Sequence, residues 1–258
     1  MLKFTKGNAK LGKNVLCFNL PAGHACPFAH KCKASTDRVT GKVSNGPDQE
    51  FRCYGASCEA LSTGLRKLVW FNWDQLKAVR TVRAMADLID EALTPWLKKT
   101  PDILIRIHST GGDFFSKRYF NAWCEVAQRH PGKQKAVRGK HKTPQVEGLI
   151  CYAYTKATPF MLLDRPDNFR LVASRGGTRD DLIDKHGLRQ AVVCMSEDEA
   201  AEKGLACDPL DDSHAWTGTP AGNFALVIHG IQSVGSAAGK AIQANRKAGK
   251  FAGYHKKA

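Results

Sequence analysis

The stretch Ile103-Leu-Ile-Arg-Ile-His-Ser-Thr-Gly-Gly-Asp-Phe-Phe-Ser116 decides the fold. It opens with an apolar run of strand length, turns at Gly111-Gly112, and leads into a helical pattern over 117–129. The same grammar repeats outward from it. Apolar runs at 148–154, 169–174, 190–195 and 224–229 read as strands, and helical patterns lie at 179–186, 197–203 and 235–248. Strands buried on both faces read as near-continuous apolar runs, and parallel strands need helical crossovers between them. With a further run at 14–20, the count is about six strands. The expected fold class is α/β, a partial or complete parallel (β/α) barrel with a cysteine-rich N-terminal loop region.

Upstream, Leu61, Leu65, Leu68, Val69, Val79, Val82, Met85, Leu88, Ile89 and Leu93 recur at helical spacing, so 61–98 reads as one or two helices interrupted by Thr94-Pro95. Residues 21–60 are rich in loop formers. The expected organisation is a metal-binding, cysteine-rich segment at 1–60 packed on an α/β domain at 61–258. That domain carries a basic insertion at 132–143 and a basic C-terminal helix and tail.

A hydrophobic share of 43% excludes a disordered chain. No run approaches the roughly eighteen apolar residues of a membrane span, and Met1–Lys10 lacks the apolar core of a signal peptide. The cytoplasm of a host cell is the expected location, with no membrane partner. Lysine and arginine number 39 against 24 acids, a formal charge of +15. Such an excess costs self-repulsion on folding and commonly reflects a polyanion. Nucleic acid is therefore the expected partner, DNA ahead of RNA; a chain that is merely basic is the alternative. Within 132–142, Lys133, Lys135, Arg138, Lys140 and Lys142 stand without an acid. They form either a solvated loop or a contact to phosphates.

Nine cysteines in a reducing compartment do not suggest disulfides. Cys124, Cys151 and Cys194 lie in apolar runs and read as buried thiols. Cys26 and Cys32, in His24-Ala-Cys-Pro-Phe-Ala-His-Lys-Cys32, and Cys53 and Cys58, in Cys53-Tyr-Gly-Ala-Ser-Cys58, sit in a polar segment with little core to hide them. Thiolates are the ligands that Zn2+ and a [4Fe–4S] cluster need, and these four are the candidate set. Buried thiols in an irregular segment are the alternative.

In parallel α/β folds, function gathers at the carboxyl ends of strands. That rule selects His108, Asp113, Lys156 and Glu197 as acid, base, nucleophile or anchoring groups. Tyr154, Ser174 and Arg175 on the same rim, with Lys133, Arg138 and Lys140 of the basic segment, are the expected substrate-binding residues. His229 ends another strand on that rim, and the acidic Cys207–His214 segment either reaches the same rim or is a loop in its own right. In the structural alternative, Asp113 or Ser116 caps the following helix.

Lys6-Gly-Asn-Ala-Lys-Leu-Gly12, Pro21-Ala-Gly-His-Ala-Cys-Pro27 and Phe51-Arg-Cys-Tyr-Gly-Ala-Ser57 resemble the "gene product eighty-eight" family of phages and mobile elements. So do Gly112-Asp-Phe-Phe-Ser116, Tyr152-Ala-Tyr-Thr-Lys156 and Ala173-Ser-Arg-Gly-Gly177, and the resemblance covers most of the chain. It implies a mobile-element origin and makes Cys26, Cys32 and Cys53 the firmer ligands. The basic loop at 133–142 departs from the family pattern. In order of motifs the chain is also similar to radical S-adenosylmethionine barrels, which implies S-adenosylmethionine as a cofactor. Here CxxxCxxC is absent and Asp113 stands where those enzymes carry Glu. A likeness of order to guanine transglycosylases implies a catalytic Asp and a cysteine-bound zinc. The expected function is a metalloenzyme that modifies a base or nucleotide of nucleic acid. The alternatives are a non-catalytic DNA- or RNA-binding protein with a structural metal, and a metal-dependent enzyme on a small molecule.

Overall fold

The computed structural model describes residues 1–7, 11, 15–135, 145–207, 212–217 and 222–251. From the N-terminus come β1 (Thr5–Lys6), β2 (Val15–Phe18) and the hairpin of β3 (Ala34–Thr36) and β4 (Val43–Asn45). Three helices follow, α1 (Tyr54–Leu61), α2 (Thr63–Ala78) and α3 (Val82–Lys99). Next are β5 (Ile103–Ile107), α4 (Lys117–Arg129), β6 (Gly132–Lys135), β7 (Gln145–Thr155), α5 (Thr158–Met161) and β8 (Phe169–Ser174). The chain continues through α6 (Asp181–His186), β9 (Gln190–Cys194), α7 (Glu197–Glu202), β10 (Ala206–Cys207), α8 (Ser213–Thr217), β11 (Phe224–Val227) and α9 (Ala237–Lys247).

The protein is α/β with a mostly parallel central sheet of order β1-β2-β5-β7-β8-β9-β11-β10. Among the described residues of this sheet, only β1 at one edge and β6 beside the start of β7 run antiparallel. Strands after β2 are added in one direction through β9, and right-handed crossovers then leave their helices on a single face. That face carries Ile103, Ile105 and Ile107 of β5 and Leu149, Cys151 and Ala153 of β7, packed against Met85, Ile89, Phe120, Trp123 and Met161. The alternate residues, Val15, Cys17, Ile150, Tyr152, Val172, Ala191 and Phe224, form a second core with Ala215 and Trp216 of α8. Period-two alternation thus divides each strand between two apolar cores.

β2 pairs with β5 inside the main sheet, so the cysteine-rich segment is built into the sheet at its start. Tyr54–Leu61 is helical, because Gly55, Ala56 and Ser57 are small enough to bury without an apolar stripe. The helical stretch expected at 61–98 is two helices, the second capped by Thr81 and tolerating Pro95 near its end. Part of the basic insertion is a strand: Gly132–Lys135 pairs with Gln145–Gly148, backbone bonding that a run of lysines does not announce. Arg138 and Lys140 lie outside the described residues. Among the described residues no helix is long and apolar enough to cross a membrane.

Candidate active site

A cavity of about 380 Å³ lies at the carboxyl ends of the parallel strands. His108 follows β5, Tyr154 and Lys156 come from the end of β7, Ser174 ends β8 and His229 follows β11, and all of them line it. The N-terminal segment contributes Cys32, Arg52, Cys53 and Tyr54. Among the described residues the walls hold Arg52, Arg106 and Lys156 but no carboxylate. The site is therefore electropositive, with thiols, imidazoles and aromatic rings exposed to one space.

Among the described residues, His108 is the one non-glycine residue with a left-handed backbone, φ 62°. Strain of this kind persists where the surroundings over-determine it, commonly at functional sites. Its ring is buried, Nε2 lies 3.1 Å from the Tyr119 hydroxyl, and Nδ1 has no hydrogen-bond partner. Burial, aided by the Arg106 charge, pushes its pKa down to about 3, so the imidazole is neutral at physiological pH.

Asp113 is buried and engaged by the protein itself. Oδ1 accepts from Thr155 Oγ1 and the Phe114 N–H, and Oδ2 accepts from the Lys156 N–H at 2.8 Å. It neither caps α4, where Ser116 Oγ accepts from the Tyr119 N–H at 3.2 Å, nor lines the cavity. Burial pushes its pKa up, and those hydrogen bonds pull the other way. The Lys156 ammonium donates to Ser174 O, Ser174 Oγ and Arg175 O at 2.8–2.9 Å, tying β7 to the turn after β8. Gly111-Gly112 is explained by close protein packing. A Cβ on Gly112 would stand 2.6 Å from Leu20 Cβ, and one on Gly55 would stand 1.8 Å from Thr110 O.

The cysteine loop is pinned from both sides. Lys33 Nζ donates to Gly23 O and Cys26 O at 3.0 and 2.9 Å, and the N–H groups of His30 and Lys31 donate to Gly176 O. Cys26, Cys32 and Cys53 are electrostatic neighbours. Burial drives Cys26 well above the ordinary thiol value, and Asp113, Cys53 and Cys32 push it further. Cys53 is pushed up to about 12 by burial and then Cys32, while the Gly55 and Ala56 N–H groups at the start of α1 act in the opposite sense. Cys58 is apart from this trio and bonds Tyr54. Among the described residues, no group of three or more His, Cys, Asp or Glu side chains could hold a metal ion as the side chains stand.

Among the described residues, Glu197, Arg175 and Lys133 do not reach the cavity. Glu197 is exposed in the first turn of α7, where Ser196 Oγ accepts from the Glu199 N–H and Glu199 Oε2 accepts from the Met195 N–H. Arg175 turns outward to Gln190 and Asp184. Lys133 pairs with Glu147 at 3.4 Å, at the amino end of β7. Its partner Glu147 lies seven residues from Tyr154 along the strand, roughly 23 Å at about 3.3 Å per residue. Arg52, Arg106 and Tyr54 are site residues that the strand-end rule missed. Arg106 carries a readable signal, a charge inside Ile103-Leu-Ile-Arg-Ile107 at a position alternating with the isoleucines. It pairs with buried Asp212, and its guanidinium lies 4.6 Å from the Tyr154 ring.

A family model described as Gene product 88 matches residues 2–250. No curated protein and no solved structure matches the chain.

Proposed function

We infer that this chain, which belongs to the Gene product 88 family, is a metal-dependent enzyme acting on nucleic acid. The observation that carries this reading is that Cys32 and Cys53, with Cys26 beside them, share one cationic cavity with His108, Arg106 and Tyr154. The one-sided helices support reading the sheet as a partial (β/α) barrel whose mouth is the reaction site.

Cys26, Cys32 and Cys53 would hold Zn2+ or an iron–sulfur cluster. The donor chemistry fits: these are soft ligands, and a metal would neutralise thiolates that burial now disfavours. Since the three do not converge as they stand, loading has to draw in Cys32, which lies on the half-buried loop. When bound, such a centre supplies Lewis acidity or an electron-transfer site. Arg52 gives the cavity a cation for phosphate, while Arg106, already paired with Asp212, braces the Tyr154 ring. Tyr54, exposed at its edge, offers a ring on which a base can stack. His108 keeps a neutral imidazole in the cavity wall, its Nε2 held by the Tyr119 hydroxyl.

Anaerobically purified protein should contain iron or zinc, and Cys53→Ala should not. Oligonucleotides incubated with it should yield an altered nucleoside by mass spectrometry. Full metal occupancy in Cys53→Ala would overturn the reading.

A second reading is a non-catalytic nucleic-acid-binding protein with a structural metal, favoured by the use of Asp113 as an internal tie. It expects oligonucleotide binding without any altered nucleoside, and unfolding when the metal is removed.

A further inference from the structure

At the other end of the sheet a second cavity, about 450 Å³, opens where β8 and β9 begin. Arg165 comes from the loop before β8, Arg170 is the second residue of β8, and Arg189 immediately precedes β9. All three line it, with Trp216 of α8 as part of its apolar wall. Arg170 and Ser174 are four residues apart on one strand, about 13 Å. The two cavities therefore lie at opposite ends of the sheet.

These arginines differ from the basic residues around them. Arg129, Lys133 and Lys135 are each held by acids. Among the described residues, neither Arg165 nor Arg170 has an ion pair, and the Arg170 Nε is buried without a hydrogen-bond partner. Arg165 donates to Met161 O at 2.7 Å, a neutral acceptor that leaves its charge uncompensated by that bond, and Arg189 donates to Gly222 O at 2.9 Å. Asp164 and Asp167 also border the cavity, but both are exposed and neither is paired with an arginine. Burial pulls Arg165 and Arg189 below the ordinary arginine value, and Arg170 adds like-charge repulsion on Arg165.

We propose that Arg165, Arg170 and Arg189 form a phosphate-binding site at the amino end of the sheet. Bringing Arg165 and Arg170, neither of them ion-paired among the described residues, to one cavity beside Arg189 is unfavourable until an anion enters. Planar forks match the oxygens of phosphate, which spread their charge over several acceptors. The phosphate belongs either to a nucleic-acid backbone or to a free phosphate compound. The site rests on its own geometry, independently of the cysteines.

The test uses the full chain and the double variant Arg165→Ala/Arg170→Ala, with folding checked by circular dichroism. Two probes are read: stabilisation by inorganic pyrophosphate, and anisotropy of a labelled single-stranded oligonucleotide across a salt series. Loss of both pyrophosphate stabilisation and about 1.4 units of the logarithmic salt slope, roughly 0.7 for each lost phosphate contact, supports the site with nucleic acid as its source. Loss of the pyrophosphate response alone supports the site with a free phosphate compound as its source. A folded double variant that matches the parent in both measurements overturns the proposal. If the double variant does not fold, Arg165→Gln, on an exposed loop residue, carries the same comparison. Metal content is expected to be equal in all variants, so failure here is separable from failure of the cysteine reading.

Discussion

Asp113 accepts a hydrogen bond from Thr155 Oγ1 at 2.5 Å, which locks the segment after β5 to the end of β7. A second bond, from the Lys156 N–H to Oδ2 at 2.8 Å, completes the tie. Asp113→Asn leaves one oxygen and turns an NH2 group toward a donor. The loss should be about 1 to 3 kcal/mol, the usual cost of unpairing a buried polar group. Urea unfolding checks this, and a change below about 0.5 kcal/mol would remove Asp113 from the frame that holds the cavity.

His108 and Glu59 should bend the stability profile in opposite directions. His108 drops from 6.5 to about 3 on folding, so the unfolded chain binds the extra proton between those values. Its contribution is complete above pH 6.5 and is lost as pH falls. Glu59 rises from 4.5 to about 7 through burial, so its contribution is complete below pH 4.5 and is lost as pH rises toward 7. Between pH 4.5 and 6.5 the two oppose each other, each by up to about 1.4 kcal/mol per pH unit. Relative to the parent, Glu59→Gln should make stability climb more steeply with pH. His108→Asn, which tolerates the left-handed backbone, should make it fall. Identical profiles for the two variants would contradict both assignments.

Metal loading should release about one proton per coordinated thiol, because burial keeps Cys26 and Cys53 protonated in the free chain. Apparent affinity should therefore strengthen as pH rises. Cys26→Ala, Cys32→Ala and Cys53→Ala should each abolish loading. Cys58→Ala should leave it unchanged, since that thiol bonds Tyr54. Proton release in unbuffered titrations and metal analysis read these outcomes; loading that depends on Cys58 would redraw the ligand set.

Two helical glycines should respond in opposite ways to alanine. At Gly55 a Cβ would stand 1.8 Å from Thr110 O, so the start of α1 and Cys53 with it must move. Gly55→Ala should cost more than about 2 kcal/mol. At Gly64 the nearest atom is Ser62 Oγ at 4.0 Å, and Gly64→Ala should stabilise α2 by about 0.5 to 1 kcal/mol. Thermal melts of the two variants decide, and equal shifts would contradict the packing described at Gly55.

The elements of the sheet were legible because burial on both faces writes an apolar run into each strand: Ile103–Ile107, Phe169–Ser174 and Phe224–Val227 fall within runs marked from the sequence. Lys117–Arg129 matches its helical period. The helix at Tyr54–Leu61 was not legible, since small residues bury without a stripe, nor was the pairing of Gly132–Lys135, which rests on backbone bonds. At the rim, His108, Tyr154, Lys156 and Ser174 come together, whereas Glu197 and Arg175 do not. A strand-end position says which end of the sheet a residue occupies, and its partners decide where the side chain turns.

By itself, the sequence determined the alternation of strands and helices, the parallel sense of the sheet and the strong positive charge. These follow from local periodicity and from composition, which need no knowledge of distant neighbours. Only the tertiary structure decided that Cys53 meets the loop of Cys26 and Cys32, which is held on Gly176, that Arg106 is countered by Asp212, and that Arg165, Arg170 and Arg189 share one cavity. The Arg106–Asp212 pair joins residues more than a hundred positions apart in the chain. It is set by sheet order and register, which a one-residue slip would reverse by turning every side chain to the other face.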